Sequence, residues 1–353
     1  MRSLNLTHTA ALMSAGAKNE DFDSYAVWVK CADSETTLFS DNVDEDTYFD
    51  VASVGKVLIT APLALQAVSG GRLSLDGTLG AYFDNVPDDK KSITIRQILS
   101  HTSGIGTRLI SQEAAKSGHD AVTADILSDP LVFAPGTGYR YSDLGMMLMG
   151  FLLEKVYGKP LEMLFEKRLK APLGYTRSTF NITADTPNAA VCYRAQMPAD
   201  PLHPWDDPNI QTLQTAAGNG GQFFTLADMK KYAYAVLDKD ERLYPKEMFA
   251  LAESVQSPPC ASETRGLGWL IVDEKYPQTG NLFPNGGFGH TGHTGQSIFF
   301  DRKRDLCIIV LTNATRFLNR RSGFKGYDYR EIMKLREAIH NAAAEDLAAA
   351  RRQ

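Results

Sequence analysis

Strand-forming sequence lies at both ends of this chain and helix-forming sequence fills the middle, an order that restricts the fold more than any single motif does. Ser24–Cys31 (SYAVWVKC) and Thr36–Ser40 are rich in β-branched and aromatic residues. The polar run Ala32-Asp33-Ser34-Glu35 between them predicts a hairpin. After Arg265 the strand pattern returns at Gly268–Val272, Ser297–Asp301 and Leu306–Thr312, with the charged turn Arg302-Lys303-Arg304 joining the last two. Helical patterns occupy Ser53–Ser69, Thr94–Leu99, Ala121–Leu127, Asp143–Tyr157, Leu161–Leu169 and Leu226–Leu237. Pro62 interrupts the first of these, which stops at Gly70-Gly71. A closing helix is expected over Tyr329–Ala349, with Ile332, Leu335 and Ile339 on one face. Strands from both ends can close one antiparallel sheet flanked by helices, an α/β (α+β) fold. The expected division is a discontinuous sheet domain over 1–75 and 255–353 and a mostly helical domain over 76–254.

Composition removes several function classes. At 353 residues, 43% hydrophobic and 22% charged, the chain can bury a large core in one or two domains. A net charge of -5 gives no basic face for nucleic acid, and Arg316, Arg320 and Arg321 read as a solvated loop. Asn5, Thr7, His8 and Thr9 break up any apolar leader near the N-terminus. Val57–Val68, interrupted by Thr60, Pro62 and Gln66, falls short of the roughly 20 residues a membrane span needs. Cys31, Cys192, Cys260 and Cys307 show no metal-ligand or redox spacing and read as small buried hydrophobes. A cytoplasmic location, no metal, no cofactor and a small-molecule substrate are the expectations, and the sequence says nothing of oligomeric state. No GxGxxG follows a strand, and neither HExxH nor a Gly-x-Ser-x-Gly elbow occurs.

The chemistry starts at Ser53-Val54-Gly55-Lys56, at the predicted start of a helix. An offset of three puts the two side chains on one face about a turn apart. A serine hydroxyl needs a nearby base, and a desolvated lysine can supply one. The helix start also aims backbone N–H groups at a developing oxyanion. The pattern recurs at Ser322-Gly323-Phe324-Lys325, in a Gly-rich stretch without helical context that reads as surface. Two downstream boxes distinguish the first copy: Tyr141-Ser142-Asp143 after the turn Pro135-Gly136-Thr137-Gly138, then His290-Thr291-Gly292 ahead of a predicted edge strand.

With those three boxes in order, the chain resembles the serine hydrolases related to class C β-lactamases, D-Ala-D-Ala peptidases and a group of carboxylesterases, whose boxes are Ser-x-x-Lys, Tyr-x-Asn and Lys/His-Thr-Gly. Ile98–Ile105 (ILSHTSGI), Phe133-Ala134-Pro135-Gly136, Tyr139–Gly145, Ala171–Tyr175, Gly266–Trp269 and Leu311-Thr312-Asn313 resemble further segments of that family, over about residues 24 to 340. The resemblance implies an active site in the cleft between the sheet domain and the helical domain. It implies Ser53 as nucleophile, with Lys56 and Tyr141 exchanging its proton as a coupled pair. It also implies an oxyanion hole from the backbone N–H groups of Ser53 and His293, with Asp143, His290, Thr291 and Gly292 in supporting or substrate-binding roles. His101 and Ser103 read as packing and turn residues.

Two departures bear on substrate. Asp143 stands where the family commonly has Asn, and a carboxylate beside Lys56 should favour the ammonium and oppose its use as a base. Asp143 can also be read as the N-cap of the helix Leu144–Tyr157, which is compatible with a role in the site. Reading the box as Ser142-Asp143-Leu144, like the Ser-Asp-Asn of class A enzymes, fails because Leu144 has no amide. His290 stands in place of lysine and, with an ordinary pKa near 6.5, should anchor a carboxylate less firmly. The resulting expectation is a serine hydrolase working through an acyl-enzyme, acting on carboxylic esters ahead of β-lactams or D-amino-acid amides. Its rival is a penicillin-binding or acyl-sensing protein of the same fold with little turnover.

Overall fold

A computed structural model describes residues 4–182, 186–190, 205–284, 286–323 and 328–352. Its strands are β1 (Tyr25–Cys31), β2 (Ser34–Phe39), β3 (Tyr48–Asp50), β4 (Ala189–Ala190), β5 (Phe223–Thr225), β6 (Leu270–Ile271), β7 (Phe288–Thr291), β8 (Ser297–Asp301) and β9 (Leu306–Thr312). Six of them form an antiparallel sheet in the order β2-β1-β9-β8-β7-β6. The first and last long strands, β1 and β9, therefore pair directly at its centre, with Tyr25 opposite Thr312 and Cys31 opposite Leu306. β8, expected at an edge, is interior, flanked by β7 and β9. A smaller sheet, β4-β3-β5, stands beside it.

Alternation along the central strands divides the core between the two faces of the large sheet. Ala26, Trp28, Ile309 and Leu311 join one apolar cluster with Val57, Leu65, Met147 and Tyr232. Val27, Val29, Ile308 and Val310 face the other cluster, with Met13, Ile332 and Ile339. β9 is buried along its whole length. The helices include α1 (Thr7–Lys18), α2 (Ala61–Ser69), α3 (Asp143–Tyr157), α4 (Leu226–Leu237), α5 (Ala314–Arg321) and α6 (Arg330–Ala350).

Several elements differ from the sequence reading. The N-terminal stretch, read only for a leader, is helix α1, and its first turn is capped across the chain rather than locally. Asp346 on α6 accepts the backbone N–H groups of His8 and Thr9 at 2.8 and 2.9 Å. The expected helix over Ser53–Ser69 is three pieces: a 3-10 turn at Ala52–Val54, a wide π turn at Lys56–Thr60, then α2. Pro62 enters at the first turn of α2, where its missing N–H is accommodated next to the wide turn. By length and composition Ala52–Ser69 could cross a membrane, but 78% of it is buried inside the protein. The arginines at 316, 320 and 321 lie on α5, not in a loop, and Arg321 pairs with Asp21 at 2.6 Å. Cys260 is exposed, unlike buried Cys307, and Cys192 lies outside the described residues. Phe324 and Lys325 of the second Ser-x-x-Lys copy lie outside them too.

Candidate active site

The site is assembled where the turn after β3 meets the β7–β8 connection. Ala52, immediately before Ser53, adopts φ +45°, a left-handed conformation that costs a non-glycine residue on the order of 1–3 kcal/mol. Asp50 holds it there: one carboxylate oxygen accepts the Ala52 N–H at 2.8 Å and the other the Asp206 N–H at 3.1 Å. Burial raises the Asp50 pKa to about 6 against those two hydrogen bonds. The Asp50 backbone carbonyl accepts Thr294 Oγ1 at 2.8 Å and Gln296 Nε2 at 2.9 Å, which ties the β7–β8 connection to the same turn. The approach is so close that a Cβ on Gly292 would sit 2.6 Å from the Val51 carbonyl oxygen. Gly55, between Ser53 and Lys56, leaves room for the buried Gln222 side chain, whose Oε1 would lie 1.7 Å from a Cβ there.

Lys56 is fully buried behind Ser53. Its Nζ donates to Ser53 Oγ at 2.9 Å, to Asp143 Oδ1 at 2.7 Å and to the Asn219 carbonyl at 2.5 Å. Three acceptors for three hydrogens is the pattern of an ammonium. Burial pulls its pKa down, but Asp143 and Tyr141 outweigh burial and hold it above the ordinary lysine range. Asp143 is free to do this because the N-cap of α3 is Ser142, whose Oγ accepts the Gly145 N–H at 3.0 Å. The alternative role for Asp143 as helix cap is thereby corrected. Ser142 is in turn fixed by Gly106 O and by His101 Nδ1, which accepts its N–H at 3.2 Å.

Tyr141 places its ring centroid 5.1 Å from Lys56 Nζ and 5.4 Å from the Arg265 guanidinium carbon. Burial, and after it Asp143, raises its pKa, with Lys56 and Ser53 near enough to oppose the rise, although among the described residues no atom stands in hydrogen-bonding geometry to its hydroxyl. The rings of His101 and His290 lie 4.5 and 6.1 Å from that of Tyr141.

The predicted residues come together around one cleft of about 410 Å³, lined by Ser53, Tyr141, Asp143, His290, Thr291 and His293. His290 and Thr291 are carried by β7 itself rather than preceding a strand. His290 is not partly cationic, as its ordinary pKa suggests. Burial first, then Arg265 and Lys56, push it well below the usual histidine range, so the neutral ring faces the cleft. Its Nε2 is 3.5 Å from an Arg265 nitrogen. Arg265, invisible as a site residue in the sequence although it precedes the recognisable Gly266–Trp269 segment, brings a permanent charge to this wall and is ion-paired to Glu263. Asp206 and Asp207 complete the opposite wall. Burial and neighbouring Asp143 raise the Asp207 pKa, with its helix-start N–H bonds and Lys56 opposing. The segment 106–124 carries a helix at Gln112–Ser117 and the start of another at His119–Ser128, and the segment 184–221 reaches the cleft through Asp206, Asp207 and Pro208. Residues 184–185 and 191–204 of the latter lie outside the described residues. Among the described residues, no group of three or more His, Cys, Asp or Glu could hold a metal.

A sheet closed from both chain ends, with a serine, a buried lysine and a tyrosine meeting beside its strand β7, defines the β-lactamase and penicillin-binding class of proteins. The chain belongs to the Beta-lactamase family, whose model matches residues 14–325. It is 26% identical over 346 residues to esterase EstB of Burkholderia gladioli, covering 84% of this chain and 83% of that one. It is 27% identical over 304 residues to an N-acetylmuramyl-L-alanine amidase of Bacillus subtilis strain 168, covering 76% of this chain and 68% of the other. Among solved structures, a β-lactamase/D-alanine carboxypeptidase from Pseudomonas syringae superposes with a TM-score of 0.73 at 17% identity, covering 94% of this chain and 97% of that one.

Proposed function

We propose that this chain is a serine hydrolase that forms an acyl-enzyme on Ser53 and acts on carboxylic esters in preference to β-lactams or D-amino-acid amides. The observation that carries the reading is Lys56 Nζ at 2.9 Å from Ser53 Oγ, buried and one side chain behind an open cleft. Ser53 Oγ attacks the acyl carbonyl. Its proton passes to the Lys56/Tyr141 pair and from there to the leaving group, and the same pair then activates water for deacylation. The backbone N–H groups of Ser53 and His293 hold the oxyanion. Because Asp143 keeps Lys56 charged at rest, the pair becomes a base only after losing one proton, so the rate rises toward alkaline pH.

The preference for esters rests on the cleft's charge. Asp206 and Asp207 line it beside the Glu263–Arg265 and Asp143–Lys56 pairs, and His290 contributes no charge. Such a surface gives a substrate carboxylate little to bind. A second reading, an acyl-sensing protein with little turnover, is favoured by the fully hydrogen-bonded ammonium of Lys56. Steady-state assays with p-nitrophenyl butyrate, a chromogenic cephalosporin and a D-Ala-D-Ala peptide, on wild type and Ser53→Ala, separate these readings. Turnover of the ester above the other two, abolished in the variant, is expected. Ser53-dependent labelling without turnover of any substrate would favour the sensor, and turnover that survives in Ser53→Ala would end the proposal.

A further inference from the structure

Arg336 stands on α6, remote from Ser53 in sequence, and is 1% exposed. One terminal nitrogen donates to Gln278 Oε1 at 2.6 Å and the other to the Gly292 carbonyl oxygen at 3.0 Å. Both acceptors are neutral, and its Nε has no partner among the described residues. A buried guanidinium that spends its bonds on neutral oxygens is costly to the fold, and a methionine of similar reach would avoid the desolvation. Its neighbours feel the charge: Arg336 lowers the pKa of His290, behind burial, Arg265 and Lys56, and that of His340, which burial and Arg336 bring to about 3.

The peptide that Arg336 touches is the one whose other end is the His293 N–H. No cis peptide is present among the described residues, and in a trans peptide C=O and N–H point in opposite directions within one plane. Fixing the Gly292 carbonyl toward α6 therefore fixes the His293 N–H away from it, toward the cleft that His293 lines. Rotation of this peptide is further limited by the Gly292 N–H bond to Gln296 O at 2.8 Å and by the Val51 carbonyl that leaves no room for a Cβ. A cation on the carbonyl oxygen also withdraws electron density from the amide and makes its N–H a stronger donor.

We propose that Arg336 is a positioning residue that orients and polarises the Gly292–His293 peptide, so that the His293 N–H meets the oxyanion formed on the acyl group at Ser53. This role rests on the serine hydrolase reading of the site. Arg336 touches no substrate; it acts through a peptide bond whose donor is needed most in the transition state.

The test uses the full chain, p-nitrophenyl butyrate as substrate and an alkylboronic acid as a tetrahedral probe on Ser53. Loss of a direct oxyanion donor costs about 10²–10³-fold in kcat, so Arg336→Met, acting one bond away, is expected to cost about 10–10²-fold with KM changed by less than about twofold. Boronic acid affinity should fall by the same factor as kcat. Arg336→Lys, which retains the charge and one donor, should recover part of both. If the methionine variant does not fold, the lysine variant decides alone, through a fall in kcat and boronate affinity at unchanged KM. Unchanged kcat and boronate affinity in the folded variants, or a rise in KM alone, would overturn the assignment. Wild type without Ser53-dependent turnover would remove the hydrolase reading and this role together, whereas active wild type with unaffected variants removes this role alone.

Discussion

The two walls of the cleft treat ionisable side chains in opposite ways. On the wall built by the Ala52–Thr60 turns and the start of α3, a carboxylate reaches a buried lysine and keeps it charged against burial. On the wall built by β7, burial first, and then the cations of Arg265, Lys56 and Arg336, act on His290, and the imidazole is driven neutral. Residue type alone predicts neither state. Lysine in a dry site ordinarily drifts toward the amine, and histidine near pH 7 ordinarily carries a fraction of a charge. For Lys56 the neighbours overcome burial, and for His290 they add to it, so the proton is assigned to the Ser53 wall and withheld from the β7 wall.

The largest break in this comparison is expected from Lys56→Ala. Without Lys56 the pair that takes the Ser53 proton after losing one of its own is broken and Asp143 loses its partner, so kcat/KM for an ester should fall about 10³-fold or more while the protein stays folded. A loss below tenfold would mean that Tyr141 works alone.

Asp50 tests how the first wall is built. Its pKa is about 6 in the fold against an ordinary 3.8, so the folded protein holds a proton that the unfolded chain has released between those values. Its contribution to stability is present at low pH and is lost as pH rises through about 6. Asp50→Asn should therefore gain on wild type across that window, by on the order of 2–3 kcal/mol above it at most, less whatever the Asp206 N–H bond is worth. Thermal melts of both proteins from about pH 4 to about pH 7 check this, and a gap that does not change with pH would refute a buried neutral acid at this position.

Asp143→Asn should lower the apparent basic pKa of the acylation profile by about one unit and raise the rate near pH 7 up to about tenfold, provided the amide still accepts from Lys56. A profile that stays in place would show that Asp143 does not set the proton on Lys56. The smallest effect is expected from His290→Lys. A lysine there would face Arg265 and Lys56, so the ratio of penicillin to ester capture should rise by no more than about threefold. A much larger rise would show that anion binding was limited by the charge at this position.

Five of the six strands of the large sheet, all but β7, were legible because β-branched alternation and polar turns mark them locally, and β8, β9, α3 and α4 begin and end where the pattern does. Ser53, Lys56, Tyr141 and Asp143 were legible because their boxes are short and ordered. The features that escaped depended on long-range placement. Ser142 and Asp143 are both competent helix caps, and only the reach of Asp143 to Lys56, 87 positions away, decides between them. Arg265 and Arg336 sit in ordinary strand-edge and helix sequence, and no spacing rule links either to Ser53. The π turn at Lys56–Thr60 has no composition of its own, and β8 becomes interior only because β7, a four-residue strand, adds beyond it.

Every role assigned to the cleft depends on Ser53 receiving the acyl group. Intact-protein mass spectrometry after brief exposure to a fluorophosphonate and to an activated ester, with peptide mapping of the adduct, measures that. One adduct per chain on the peptide bearing Ser53, absent from Ser53→Ala and much slower to form in Lys56→Ala, is the predicted result. An adduct that maps elsewhere, or that forms equally in the alanine variant of Ser53, would contradict it.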